Sequence, residues 1–486
     1  MHFDYIIIGS GSGNSFPGPE FDNASIAIIE EGPRFGGTCL NSGCIPTKMY
    51  VVAADTAHTA ATSERLGIHT TFEGADWPAI VDRVFGHRVD IIARSGEEYR
   101  RGDECPNITL FDGHAEFTGP KTLATTLDGE DVEITGDTIV IAAGSRPFIP
   151  PVIADSGVPY LTNEDVMRLP EQPESITILG GGFIAMEFAH VFQSLGTHVR
   201  IVNRSPLMRH LDADIHDRFN ALVSPRYETH IGRTVASASH DENSVTLTLD
   251  DGTAVTSSAL LVATGRVPNG DRMNLAAAGV EMHDDGRIAV DQYGRTTADG
   301  IWALGDVSSP FMLKHVANAE LRAVRHNVLQ AAGASGASEA SDDSDASDDS
   351  DASGVSGMVP MPHEHVPSAV FTYPQLATVG LTEKQAREAG YDVTTKIQNY
   401  GDVAYGWALE DQGSVVKLVA DRASAKLLGA HYIGPQASTL IQQMVTVLAF
   451  DLDLRDVARR QYWTHPALAE VTENAILGLD LDFPES

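Results

Sequence analysis

The sequence predicts an α/β protein with two Rossmann-like units and a C-terminal α+β domain, and three observations carry that reading. The chain has 486 residues, which at roughly 150 residues per domain is the length of about three domains. Two segments share one grammar: an apolar strand, a glycine cluster and, after an interval, a second strand. Asp4-Tyr5-Ile6-Ile7-Ile8 runs into Gly9-Ser10-Gly11-Ser12-Gly13, and Ile26-Ala27-Ile28-Ile29 follows, closed by Glu30. Ser175-Ile176-Thr177-Ile178-Leu179 runs into Gly180-Gly181-Gly182, then an amphipathic stretch over residues 183–194 and the strand Val199-Arg200-Ile201-Val202. Both read as the start of a βαβ unit, so two dinucleotide-binding domains are expected in one chain.

Composition bounds the rest. Hydrophobic residues make up 42% and charged residues 21%, enough apolar surface for several cores, which excludes a wholly disordered chain. No apolar run approaches the roughly 18–20 residues that span a bilayer. The opening Met1-His2-Phe3-Asp4-Tyr5 lacks a basic n-region and enters a strand at once, so no secretory leader is expected. Three cysteines exclude a disulfide scaffold and fit a reducing cytosol. Against 67 Asp and Glu stand 33 Lys and Arg, a net charge of −34. A field of that sign repels nucleic acid and anionic membranes, so neither is an expected partner. An anionic ligand then needs local arginines or backbone donors.

One stretch breaks the pattern. Apart from Glu339 and Val355, residues 331–357 are Ala, Ser, Gly and Asp, with Ser341-Asp342-Asp343-Ser344-Asp345 nearly repeated at Ser347-Asp348-Asp349-Ser350-Asp351. It offers no apolar face and repels itself, so it reads as a disordered surface insertion. The glycine and terminal glutamate of an EF-hand are missing. A third domain is expected to start near residues 366–379 and to close with a helix over 437–450 and a C-terminal segment around His465. The expected boundaries are 1–150 and 271–330 for the first nucleotide domain, 151–270 for the second, 331–360 for the insertion and 361–486 for the last domain.

Gly9, Gly11 and Gly13 stand where a backbone must pass close to a pyrophosphate, and Glu30, about 20 residues on, is placed to bind ribose hydroxyls. The usual third glycine is absent: position 14 is Asn14, and Phe16-Pro17-Gly18-Pro19 must shorten or break the next helix.

Cys39-Leu40-Asn41-Ser42-Gly43-Cys44 is the sharpest chemical signal. Residues five apart on an ideal helix have Cα atoms roughly 8.7 Å apart, whereas a disulfide needs less than about 7 Å. The pair can close only where the backbone leaves the helix, and Gly43 makes that departure cheap.

The whole segment Gly36-Gly37-Thr38-Cys39-Leu40-Asn41-Ser42-Gly43-Cys44-Ile45-Pro46-Thr47-Lys48 resembles the redox-active segment of the class I pyridine nucleotide-disulfide oxidoreductases, flavoenzymes that include glutathione reductase, dihydrolipoyl dehydrogenase and mercuric reductase. Ala142-Ala143-Gly144-Ser145-Arg146-Pro147 and Ala263-Thr264-Gly265-Arg266-Val267-Pro268-Asn269 are similar to its two crossing segments. Ile301-Trp302-Ala303-Leu304-Gly305-Asp306 resembles its second FAD motif, and His465-Pro466-Ala467-Leu468-Ala469-Glu470 its catalytic His…Glu segment. The opening Gly9-Ser10-Gly11-Ser12-Gly13-Asn14-Ser15 and Phe35–Asn41 continuing to Met49 are most similar to the mycothione reductase branch. No C-terminal cysteine pair is present, which counts against mercuric reductase and the large thioredoxin reductases.

The resemblance implies an FAD domain, an NADPH domain and a dimerisation domain, with FAD and NADPH as cofactors. It implies that Cys39 and Cys44 form the redox-active disulfide, Cys44 next to the flavin and Cys39 as the interchange thiol. His465 would be the base, oriented by Glu470, and would reach the disulfide of the partner subunit, so a homodimer is implied. Lys48 and Glu187 match the ion pair beside the flavin ring. Thr38, Gly144, Asp306 and Gly265 join the glycine loops at 9–13 and at Gly180 and Gly182 as cofactor contacts. The strand Ile201-Val202 ends in Asn203-Arg204, where an NAD site has an acid; Arg204, with Arg209 near the second position, suits a 2′-phosphate and points to NADPH.

The expected function is thus NADPH-dependent reduction of a low-molecular-weight thiol disulfide, mycothione first, in the cytoplasm. Two alternatives stay open: an NAD-dependent dihydrolipoyl dehydrogenase, and a flavoprotein without catalysis that serves as a binding partner. Cys105 has no neighbouring cysteine and reads as structural. His363-Glu364-His365 lacks a third metal ligand and reads as a solvent-facing loop.

Overall fold

The computed structural model describes residues 1–339 and 357–483. The chain forms two compact units. One consists of Met1–Pro46, Asp82–Arg146 and Arg266–His363; the other of Thr47–Val81, Pro147–Gly265 and Glu364–Ser486.

The first unit is built on the strand His2–Ile8, whose Ile6 and Ile7 are fully buried. Such two-sided burial selects a central parallel strand. It pairs in parallel with Ile26–Ile29 on one side and with the second half of Glu130–Ile141 on the other. Ile108–Phe111 extends the sheet beyond Ile26–Ile29, and Ile301–Ala303 pairs with Glu130–Ile141 in parallel. The first half of Glu130–Ile141 turns instead into an antiparallel meander with Thr122–Leu127 and Glu116–Gly119.

Between His2–Ile8 and Ile26–Ile29 there is no α-helix. Two 3₁₀ turns, Gly13–Ser15 and Pro19–Phe21, replace it, as the prolines require. Phe16 and Phe21 are buried with their rings 4.9 Å apart, filling the space a helix would have covered.

The second unit contains a parallel sheet in the order Glu228–Ile231, His198–Asn203, Ser175–Leu179, Ala259–Val262. Phe183–Ser194 is helical, with the bounds the sequence predicts, but it buries Ala185, Met186 and Phe188 through Phe192. It is therefore wrapped on more sides than an amphipathic surface helix. Trp77 stacks on Phe192 at 5.5 Å and accounts for part of that cover. The same unit holds a five-stranded antiparallel sheet in the order Ser368–Val370, Leu376–Gly380, Lys426–Ile433, Val415–Asp421, Val393–Asn399. The helices Ala437–Ala449 and Ala469–Leu477 share its core with Tyr400 and Tyr432.

The helix Lys314–Glu339 runs into the first residues of the expected insertion. Its backbone stays helical from residue 331 to Glu339, inside the stretch read as disordered. Once a long helix is nucleated, each further residue adds a backbone hydrogen bond, and Ala, Ser and Glu carry it past Gly333 and Gly336, which cost roughly 1 kcal/mol each. The Ser/Asp near-repeat at 341–351 lies outside the described residues. Among the described residues, no helix is long and apolar enough to cross a membrane.

Candidate active site

Cys39 lies in the short helix Gly37–Asn41, and Cys44 opens the long helix Cys44–Thr62. Between them Ser42 leaves helical geometry at φ −152° and ψ 22°, while its N–H still bonds Thr38 O at 2.9 Å. A Cβ on Gly43 would stand 2.9 Å from Thr38 O, so only glycine lets the chain fold back this tightly. The break brings the two thiols into hydrogen-bond contact.

The contact is asymmetric. The bond from the Cys44 thiol, opposed by burial, brings Cys39 down to about 7, helped by the Lys314 charge and by the N–H groups of Cys44 and Ile45. Cys44 moves upward, because its proton is held on Cys39 and because it is desolvated. Cys39 is the sulfur that carries a thiolate near neutral pH and is the better nucleophile.

Sequence reasoning missed two supports of this segment. Asn41 Nδ2 donates to Phe35 O at 3.0 Å and Gly37 O at 3.1 Å, fixing the entry to the short helix. Lys314 Nζ donates to Ser12 Oγ at 2.9 Å. No local signal joins Lys314 to Cys39; only the fold does.

Lys48 and Glu187 meet around Phe371. The Lys48 ammonium stands 3.9 Å from the Phe371 ring centroid, and Glu187 Oε1 accepts the Phe371 N–H at 2.9 Å. Burial pushes Lys48 down, while the charges of Asp55 and Glu187 oppose that. Asp55 is a further residue that the sequence did not reveal; its Oδ1 lies 2.8 Å from Nε2 of the fully buried His190.

The two glycine loops use one device. Gly9 has φ +103°, and a Cβ there would lie 2.4 Å from Ala142 O; Gly180 has φ +136°, and its Cβ would lie 2.2 Å from Ala263 O. In each unit the chain leaves the first strand hard against its parallel neighbour, which only glycine permits. The loop at residues 9–13 is braced by Glu30, whose Oε2 accepts from Ser10 N (2.9 Å) and from Ser10 Oγ, and whose Oε1 accepts from Gly32 N at 2.8 Å. Asn14, in place of a glycine, is clamped by Arg100: Nε donates to its Oδ1 at 2.7 Å and Nη2 to its carbonyl at 2.6 Å.

Further along the first unit, Asp306 sits in the turn Gly305–Val307 and accepts from Ser145 Oγ at 2.6 Å. Arg266 Nε donates to the same Ser145 Oγ at 2.7 Å, and Asn269 N–H bonds Gly144 O at 3.1 Å. Gly144 and Gly265 have φ +66° and +136°, with open space where a Cβ would stand. Thr38 is exposed at the start of its helix.

In the second unit, Gly182 caps the helix Phe183–Ser194 and has nothing within 4 Å of an ideal Cβ. Asn203 turns its amide back to Ser205 O at 2.6 Å. Arg204 is exposed and, among the described residues, makes no ion pair; exposed Arg209 donates to His210 Nε2 at 3.1 Å. The loop after the strand thus offers two guanidinium groups without a competing carboxylate.

His465 Nδ1 lies 2.7 Å from Glu470 Oε1, and Glu470 Oε2 accepts the Ala467 N–H at 3.0 Å. The His465 bond, then that N–H, holds the Glu470 carboxyl below its ordinary range. The His465 side chain is 68% exposed, so the ring can be oriented from one side and approached from the other.

His363 departs from expectation. It is not a free solvent-facing residue: Nε2 lies 2.6 Å from Oε1 of the buried Glu320. The described residues contain no metal-ligating cluster. Cys105 is buried, 3.6 Å from Arg100 Nη1.

The family model described as "Pyridine nucleotide-disulphide oxidoreductase" matches residues 3–323, and that of the family's dimerisation domain matches 366–476. The chain belongs to this family. It is 49% identical over 483 residues to the mycothione reductase of Mycobacterium tuberculosis, covering 98% of this chain and 99% of the relative. It is 31% identical to the glutathione reductase of Burkholderia cepacia over 96% of this chain and 97% of that one. Among solved structures, the HOCl-induced flavoprotein disulfide reductase RclA from Escherichia coli superposes with a TM-score of 0.81 at 27% identity, over 98% of this chain and 99% of that one.

The protein is accordingly an oxidoreductase, a flavoenzyme whose cofactors are FAD and a pyridine nucleotide. The first unit fits FAD on its own geometry. Gly11 and Ser12 N–H groups have no partner among the described residues, and a Cβ on Gly37 would lie 2.5 Å from Gly11 Cα. Two backbones kept this bare beside free donors form a cradle for a pyrophosphate.

Proposed function

We propose that the protein is an NADPH-dependent disulfide reductase that converts mycothione to mycothiol, acting as a homodimer in the cytoplasm. The observation that carries the reading is the meeting of Cys39 and Cys44 across the break at Ser42, where Cys39 is brought down to about 7, first by the Cys44 thiol. The 49% identity to mycothione reductase along nearly the whole chain supports the substrate, and Arg204 with Arg209 supports NADPH.

The nucleotide loops would hold the cofactors: Gly9, Gly11, Gly13, Glu30, Thr38, Gly144 and Asp306 for FAD, and Gly180, Gly182, Arg204, Arg209 and Gly265 for NADPH. When bound, FAD would supply the two-electron chemistry that links a reduced nicotinamide to the Cys39–Cys44 pair. Lys48, with the Glu187 charge near it, would supply the cation that stabilises negative charge on the reduced flavin.

The protein's own groups then act in sequence. The Cys39 thiolate attacks one sulfur of the substrate disulfide, forming a mixed disulfide, and His465 of the partner subunit gives a proton to the leaving thiolate. Cys44 loses its proton to the same imidazole and attacks Cys39, releasing the second thiol and closing the Cys39–Cys44 bond. Glu470 keeps the ring in the tautomer and pose both transfers need.

The test is NADPH consumption with mycothione, glutathione disulfide, bis-γ-glutamylcystine and lipoamide, repeated with NADH. Turnover fastest with mycothione and NADPH is expected. Activity confined to lipoamide, or an NADH preference of about tenfold or more, overturns the substrate or cofactor assignment in turn.

A further inference from the structure

His363 lies outside the chemistry assigned so far, yet it ends a chain of contacts leading to the turn that carries Asp306. Residues 357–363 are fastened down along the helix Lys314–Glu339 and the loop before Ile301–Ala303. His326 Nε2 bonds Gly357 O at 2.8 Å, and Val359 N–H bonds Oδ1 of the fully buried Asn327 at 2.8 Å. Asn327 Nδ2 donates to both Tyr293 O (2.9 Å) and Val359 O (2.8 Å), and Met361 N–H bonds Gln292 O at 2.7 Å. The segment thereby delivers the His363 ring to Glu320, edge-on to Phe311 at 5.6 Å.

Glu320 has no solvent exposure. Its Oε1 takes His363 Nε2–H at 2.6 Å, and its Oε2 takes the Gly305 N–H at 2.7 Å. Gly305 has φ +73° and opens the turn that presents Asp306. A buried carboxylate is tolerable only while its oxygens have donors. Among the described residues, His363 is the side chain that supplies one to Oε1, and Gly305 supplies the other from the backbone.

We propose that His363 is a positioning residue for the flavin site: through Glu320 it fixes the Gly305–Val307 turn, and with it the Asp306 carboxylate. Without the imidazole, Oε1 is left buried without a donor, the carboxylate gains by turning away, and the Gly305 N–H is released. This inference rests on the assignment of that turn to FAD, and goes beyond it by naming a residue that does not touch the cofactor.

The experiment uses the full chain as purified and compares wild type, His363→Ala and His363→Gln, whose amide can again donate to Oε1. The readouts are FAD retained after exhaustive dialysis, the FAD dissociation constant of the stripped protein, and the visible absorption bands of the bound flavin. The expected result is roughly tenfold weaker FAD binding and shifted bands for His363→Ala, the scale of one lost hydrogen bond to a charged group, with recovery in His363→Gln. Should His363→Ala fail to fold, His363→Asn, polar but too short to reach Oε1, carries the same comparison. Unchanged retention and bands overturn the inference, as does a loss that glutamine does not restore. Wild-type protein that binds no FAD sinks the proposed function as well; wild type that binds it alongside an unaltered His363→Ala sinks this inference alone.

Discussion

Glu470 divides its carboxylate between His465 Nδ1 at 2.7 Å and the Ala467 N–H at 3.0 Å, so the imidazole is tied to the start of the helix that follows it. Under the proposed mechanism His465→Ala removes the proton donor and is expected to lower kcat with a disulfide substrate by about 10²–10⁴-fold. Glu470→Ala leaves the ring in place but unoriented and should fall between that variant and wild type. Reduction of the enzyme by NADPH, followed through the flavin absorbance, should be unaffected in both. A slowed reductive half-reaction counts against the acid–base assignment.

Cys39 sits near 7, so its alkylation has a defined pH profile. Below that value the thiol holds its proton and reacts slowly; above it the thiolate dominates and the rate levels off. Iodoacetamide on the dithiol enzyme, read by mass spectrometry, should label Cys39 with a midpoint near pH 7 and leave Cys44 largely untouched. Lys314→Met removes a cation that favours the thiolate and should move the midpoint upward. Labelling of Cys44 first would reverse the assigned roles.

Gly180 and Gly182 separate folding from binding. Gly180→Ala forces a Cβ to 2.2 Å from a backbone oxygen at φ +136°, and should lower the melting temperature of the protein. Gly182→Ala meets nothing within 4 Å and should melt like wild type, yet it places a methyl group where a pyrophosphate would approach. KM for NADPH should rise in this variant with kcat nearly constant. An unchanged KM would move the nucleotide away from this helix N-terminus.

Arg204 is exposed on the loop that follows His198–Asn203. Arg204→Ala should reduce kcat/KM for NADPH by about tenfold, the scale of one charge-assisted contact, and leave NADH unaltered. Equal losses for both nucleotides would show that the guanidinium does not read the 2′-phosphate.

His58 is brought down to about 4 from 6.5, chiefly by burial and then by Arg226 and His190, with its ring 4.0 Å from that of Tyr373. Between about pH 6.5 and 4 the unfolded chain binds a proton at this site that the folded chain refuses. Stability therefore falls as pH drops through that window and is unaffected by this group above it. His58→Gln should flatten the acid limb of a melting-temperature profile between pH 6.5 and 4. A limb of unchanged slope would remove His58 from the acid response.

The parts legible in the sequence are those whose causes are local. Ile6 to Gly9 announces a buried strand ending in a turn, which the structure shows, and Pro17 and Pro19 announce a shortened or broken helix, where the chain makes two 3₁₀ turns. Gly43 between the cysteines announces the broken helix that the backbone adopts. What the sequence hid depends on residues far apart along the chain. Arg100 makes Asn14 workable where a glycine is usual. Lys314 reaches Ser12, and Glu320 turns an apparent surface histidine into the end of a buried contact. The helix running to Glu339 was hidden for another reason: its residues are poor at burying surface but adequate at extending a helix that already exists.

The fold-back at Ser42 and Gly43 has a mechanical meaning for repeated turnover. The same break sets Cys39 and Cys44 close enough that each governs the other's proton, so under the proposed chemistry the pair would close and reopen with little movement of the chain around it.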